Sequence, residues 1–244
     1  MFLPTFNEET HLCAAIKSQI AQVMMSYIAI TNDPLSLIPL EPPPIDPINP
    51  QKPDIEIFKL MLSSNNSTEG IGEILKDIIN QSNLTDDKFF SELRAMEGAS
   101  HTLWNIGQAI YLKHFGDNKI PDNLGAWKTL HALGLPWEKP VAKNDFTLML
   151  TNIQKIHEVT LIHCLLLVMG IPQTSLPNEK LKLKAKSINH VINLCYDRFF
   201  GCAALKRADG LNSPKLFGLI TPLRDFATIV EANRSMKQAI LGDY

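Results

Sequence analysis

Apolar residues recur at alternating steps of four and three along most of this chain, and that spacing constrains its fold more than any other feature. The line Phe89, Leu93, Met96, Ser100, Leu103, Gly107, Ile110, His114 keeps a 3.5-residue repeat for almost four heptads. A strand would need a period of two, so the pattern reads as one face of a long helix, expected from Asp86 to Phe115 with a stop at Gly116. Thr85 followed by two aspartates fits its start, where side-chain oxygens and negative charge meet free amides. Ser100 and Gly107 are small residues on that seam, which would admit a second helix closely and offers a route to a homo-oligomer.

The same spacing appears elsewhere. Leu12, Ile16, Ile20, Val23, Tyr27 and Ile30 define a first helix capped at Asn7. The stretch DIEIFKLMLSS gives a short helix, and Ser67 or Thr68 can cap the next, EGIGEILKDIINQ. A helix is expected over 122–133, ending at Gly134. Another runs from an Asp145 cap to Met169, ending at Gly170. Its second half is apolar almost all round, as for a central helix. In EKLKLKAKS the lysines alternate with apolar residues like a strand. Leu181, Ala185, Ile188, Ile192, Cys195, Phe199 and Cys202 favour one helix over 178–208 instead. Thr221 as cap, Pro222 at the first position and Gly242 past the end delimit a last helix. No strand pair is expected. The fold class is all-α, an irregular multi-helix bundle of about seven to nine helices.

Between the first helix and the rest lies PLSLIPLEPPPIDPINPQKP, with eight of the sixteen prolines. Proline cannot continue a helix, so this is an extended segment and the chain divides into 1–33, 34–53 and 54–244. Three roles fit it: a PxxP ligand around Pro42, Pro43 and Pro44, a strap on its own domain, or a semi-rigid arm carrying the first helix to another subunit. Only Lys52 supplies the cation a PxxP ligand needs. The apolar residues between the prolines favour the strap.

With 45% hydrophobic residues among 244, the chain can bury a large core. A net charge of −2 argues against a nucleic-acid partner, which calls for a basic excess. The longest apolar run, Val159–Gly170, is too short for a membrane span of roughly 20 residues. The opening MFLPTFNEETHLC lacks the pattern of a secretory signal. Four cysteines without CxxC spacing are expected as free thiols in a reducing, cytoplasmic compartment.

Common motifs of hydrolases, nucleotide binders and helical metal sites are absent, so no metal and no cofactor is expected. The best catalytic pair is Glu97 with His101, four apart on the long helix, where a carboxylate beside aromatic residues could share a proton with the imidazole. An ordinary surface pair explains it as well. His157 and His163 lie six apart, on different faces of one helix. His163 reads as a core histidine, and Cys195 and Cys202 read as core thiols on an apolar stripe. Lys180, Lys182, Lys184 and Lys186 form a basic patch for an acidic partner or anionic lipid, or simply a solvated face.

The expected function is therefore a non-catalytic helical interaction module: an adaptor or accessory subunit of a cytoplasmic assembly with a protein partner. Its surface candidates are Leu12, Ile16, Val23 and Tyr27, the three prolines, Ser100, Gly107 and the lysines. The profile is similar in type to the helical adaptor subunits and effectors of bacterial secretion systems. The alternative is an enzyme or ligand-binding bundle with a buried Glu/His site.

Overall fold

A computed structural model describes residues 5–45, 68–82, 99–117, 119, 125–138, 145–172 and 179–241. Two compact units divide the chain: residues 1–47 together with 103–244, and residues 48–102. This differs from a division at 33 and 53. The first helix belongs to the larger unit. The smaller unit holds α2 (Thr68–Ser82); Thr68 lies within the helix, and Ser67 lies outside the described residues. The helix expected over DIEIFKLMLSS and the Asp86–Gly98 part of the long helix lie outside the described residues.

Eight α-helices lie among the described residues, and the fold is all-α apart from one two-residue strand pair. Besides α2 they are α1 (Phe6–Tyr27), α3 (Ala99–Phe115), α4 (Ala126–Ala132), α5 (Phe146–Met169), α6 (Ala185–Phe199), α7 (Ala203–Gly210) and α8 (Pro214–Leu241). The longest, α5 and α8, pack on each other and form the spine of the larger unit. On one half of the spine sit α1, α6 and α7, closing a core of Ile20, Met24, Ile28, Leu161, Leu165, Ile188, Ile192, Phe199 and Leu223. On the other half a second core joins Trp104, Tyr111, Phe115, Leu130, Met149, Ile153 and Phe226.

Several boundaries differ from the sequence reading for physical reasons. Thr5, not Asn7, caps α1. The Glu8 amide donates to Thr5 Oγ1 (3.3 Å) and the Thr5 amide donates to Glu8 Oε2 (2.6 Å), so two free amides are satisfied reciprocally. Two residues past α1, the chain forms β1 (Ala29–Ile30), parallel to β2 (Leu181–Lys182). The Leu181 and Leu183 amides donate to the Ile28 and Ile30 carbonyls at 2.8 and 2.9 Å. The lysine-alternating stretch is thus a strand at its start, and the helix expected over 178–208 begins at Ala185. It then breaks after Phe199, at Phe200, Gly201 and Cys202, before α7. The break turns Cys202 out to solvent, whereas Cys195 stays buried.

Helix α8 starts at Pro214, not Pro222. Ser213 stands before it, with Oγ accepting from the Leu216 amide at 3.4 Å. Pro222 lies inside the helix, and Thr221 does not cap but donates to the Phe217 carbonyl at 3.0 Å. Helix α4 starts at Ala126, behind Gly125. A Cβ on Gly125 would overlap the Phe115 carbonyl oxygen, so only glycine lets the chain pass the end of α3 there.

The segment after α1 is strapped down as far as it is described. Ile38 is buried, the Leu37 carbonyl accepts from Asn189 Nδ2 (2.8 Å), and the Leu40 carbonyl accepts from Gln22 Nε2 (2.8 Å). Asp33 does more. Its Oδ2 accepts from the Ala185 amide at 2.5 Å, and Lys184, the residue before α6, supplies no side-chain cap. Asp33 thereby caps α6 from a distant part of the sequence. Asp33→Ala is expected to cost about 1 kcal/mol. Thermal unfolding followed by circular dichroism should show this as a fall in Tm of roughly 2–4 °C.

Candidate functional site

Three helices of the larger unit bring buried polar side chains together. Gln19 of α1 and His157 of α5 are 7% and 2% exposed, and Glu231 of α8 is 8% exposed. His157 Nε2 lies 2.9 Å from Gln19 Oε1. Gln19 Nε2 lies 3.3 Å from both the Ala227 carbonyl and Glu231 Oε2. Those two acceptors fix the amide: its nitrogen must face them, so its oxygen faces the histidine. His157 therefore donates from Nε2. Its Nδ1 has no hydrogen-bond partner among the described residues.

Burial holds His157 down at a pKa of about 4, against smaller upward effects of Glu158 and the Leu223 backbone. It is a neutral imidazole at ordinary pH. Glu231 is also raised by burial, but Arg234, Gln19 and Ser235 outweigh this and hold it below the usual carboxylate range. Arg234 pairs with both Glu231 oxygens, and Ser235 Oγ donates to Oε1 at 3.2 Å. Beside this network, Tyr27 Oη donates to Glu158 Oε2 at 3.2 Å, and Glu158 also accepts from Lys155 and Gln154. A cleft of about 130 Å³ opens along Gln19, Gln22, Tyr27, Gln154, His157 and Glu158. Both carboxylates are already committed to donors, so the arrangement ties three helices together and leaves no free acid–base pair.

A larger cleft lies at the other end of the unit. About 380 Å³ is lined by Val168 of α5, Leu194, Asp197 and Arg198 of α6, Ala204 and Arg207 of α7, Leu211 and Leu216. Leu211 is 70% exposed, Phe217 48% and Leu194 42%. Arg207 Nη2 donates to the Asp197 and Arg198 carbonyls at 2.7 and 3.0 Å, closing the C-terminal end of α6.

Those of the residues singled out from the sequence that are described are scattered. His101 is exposed, and Glu97 lies outside the described residues. Ile16 and Val23 are buried in the core, while Leu12 and Tyr27 are partly exposed. Pro42 and Pro43 are half-buried and Pro44 is exposed. Gly107 is buried, its Cβ position 3.0 Å from Met149 Cε and 3.9 Å from Ile229. The described half of the heptad seam is thus covered by α5 and α8 of its own chain. The Ser100 side chain lies outside the described residues. Lys180 Nζ donates to the Met25 carbonyl at 2.9 Å, and Lys182, Lys184 and Lys186 are exposed. His163 is half-buried, and His157 is the core histidine.

Burial raises the Cys164 thiol strongly and pushes Cys195 up to about 12, so neither is a ready nucleophile. No group of three or more His, Cys, Asp or Glu among the described residues is placed to hold a metal ion. No described helix is long and apolar enough to cross a membrane.

Residues 90–243, more than half of the chain, match DUF6589, a family of unknown function. The chain belongs to that family. No curated protein and no solved structure matches it. The DUF6589 span takes in α3 to α8 and both clefts' α5 and α8 walls, but not α1. In this DUF6589 chain α1 nevertheless packs on α5, α6 and α8 and supplies Gln19 to the buried network.

Sequence reasoning missed the network because its members are far apart in the chain. A signal was present: Gln19 lies among the apolar residues Ile16, Ile20 and Val23, and His157 directly follows Ile156 of the α5 stripe. A polar residue on a buried face requires a partner.

Proposed function

We propose that this chain is a non-catalytic helical protein-interaction module, an adaptor or accessory subunit of a multiprotein assembly in the cytoplasm. The observation that carries the reading is the largely apolar cleft bounded by α5, α6, α7 and α8, in whose lining Leu211 and Leu194 stay exposed. Apolar surface gathered at one concave place is a feature of docking sites, whereas single exposed apolar residues are ordinary. Gln19 and Glu231 support the same reading, because the hydrogen bonds they make are directed at His157, at each other, at Arg234 and Ser235 and at backbone. The four free cysteines suit a reducing compartment. Neither the fold nor the family description favours a secretion-system role over other assemblies.

The test is affinity capture from the native cell, the intact chain against Leu194→Asp/Leu211→Asp, with partners identified by mass spectrometry. A stoichiometric partner that falls at least about tenfold with the double variant is expected. A partner held equally by both chains moves the interface away from the cleft. No partner with either chain overturns the reading.

A further inference from the structure

The charge around the α5–α8 cleft identifies the kind of partner. From Leu194 to Phe217 the chain carries Arg198, Lys206, Arg207 and Lys215 against Asp197 and Asp209, a local excess of two positive charges on a chain whose net charge is −2. Arg198 and Arg207 line the cleft itself, against Asp197 as the one lining carboxylate among the described residues. Lys206 and Lys215 are exposed on α7 and at the start of α8. Among the described residues none of these four cations has a carboxylate at salt-bridge distance. Arg207 is spent on backbone carbonyls, and Arg198 lies over the Phe199 ring, 5.6 Å from its centroid. Helix α8 begins at this edge, and the positive end of its dipole lies there.

The floor is apolar and concave, formed by Val168, Leu194, Ala204, Leu211 and Leu216. A concave apolar floor accepts side chains that project from a partner. A lipid surface is met by projecting apolar residues instead. We propose that this cleft binds an acidic amphipathic helix of a partner protein. Two or three apolar side chains spaced three or four apart fill the floor, and aspartates or glutamates on the flanks meet Arg198, Lys206 and Lys215. The inference rests on the interaction-module reading and adds the partner's chemistry to it.

A displayed library of random 14-residue peptides, selected against the purified full chain, tests it while the natural partner is still unidentified. Enriched peptides are expected to carry apolar pairs at i, i+3 or i, i+4 and a net negative charge. Fluorescence anisotropy with the enriched peptides should show at least about tenfold weaker binding to Leu211→Asp, and also to Arg198→Glu. Binding should weaken with added salt. Leu211 and Arg198 are solvent-exposed, so both variants should keep the circular dichroism of the parent. Enriched peptides that are basic, or that bind Arg198→Glu as tightly as the parent, overturn the acidic-helix inference and leave an interaction module standing. Binding to vesicles containing a quarter anionic lipid, lost with Arg198→Glu and without peptide enrichment, overturns it in favour of a membrane surface. No enrichment and no vesicle binding overturns both the inference and the reading beneath it.

Discussion

Phe226→Ala is expected to remove about 3–5 kcal/mol of stability, as for large-to-small changes in a packed core. Phe226 is 1% exposed and sits at the centre of the spine. Its neighbours Leu223 and Ala227 face the first core, while Phe226 itself joins Trp104, Tyr111, Met149 and Ile153 in the second. The ring also meets the edge of His114, with centroids 5.5 Å apart and planes at 82°. His114 Nε2 is 2.7 Å from Asp225 Oδ2, and Lys113 Nζ lies 3.1 Å from the same oxygen, so α3 is fastened to α8 at this point. Removing the ring leaves a cavity beneath that fastening. Urea unfolding should show a lower midpoint, and Tm should fall by roughly 6–20 °C. Phe217→Ala is the control on the same helix. Phe217 is 48% exposed, and its removal should change stability by less than about 0.5 kcal/mol. Equal losses for the two variants would contradict the placement of α8.

The contrast between these phenylalanines shows what the sequence can and cannot convey. Periodicity made the helices legible, because burial of one face imposes a period near 3.6 on any helix that packs. Helix α5 spans Phe146–Met169 as expected, although Asp145 makes no side-chain cap, and Gly170 adopts the left-handed φ of 68° that ends a helix cheaply. Pro222 misled because its two neighbours in the sequence, Thr221 and Leu223, fit a helix start as well as an interior. A start signal at Ser213–Pro214 was equally good, and tertiary burial of Ile220 and Leu223 carried the helix through the second proline. The two-residue strands were illegible in principle. Two residues are too few to show a period of two, and their pairing depends on where α1 delivers Ala29. The sites were less legible than the fold. Glu97 and His101 drew attention because they are close in sequence, whereas the buried polar network among the described residues comes from positions 19, 157 and 231. The cleft at Leu194, Arg198 and Leu211 depends on the break after Phe199, which the unbroken apolar stripe concealed.

The buried network should respond to mutation in a way that separates a specific contact from mere packing. Gln19→Leu strips His157 Nε2 of its acceptor and takes a donor from Glu231, and both atoms remain buried. An orphaned buried polar group costs more than the net gain of the bond it lost, so the variant should be about 2–3 kcal/mol less stable. Gln19→Leu/His157→Leu replaces both partners by apolar groups. Its loss should fall short of the sum of the single losses by about 1–2 kcal/mol. A strictly additive cycle would mean that the Gln19–His157 bond contributes nothing. The pH dependence gives an independent readout. His157 is held near 4 in the fold, and an exposed histidine titrates near 6.5. Between those values the unfolded chain binds the extra proton, so stability is full above about 6.5 and falls as pH drops toward 4, by on the order of 3 kcal/mol in total. Glu231 and Asp225 act in a lower window. Their depressed values contribute stability above the ordinary carboxylate range, which is lost only as pH falls through the folded values. Urea midpoints at pH of about 7 and about 5 therefore isolate the histidine. The parent should lose stability between them, and His157→Leu should lose markedly less. The same loss in both would place the titrating group elsewhere and remove His157 as the acid-sensitive joint between α1, α5 and α8.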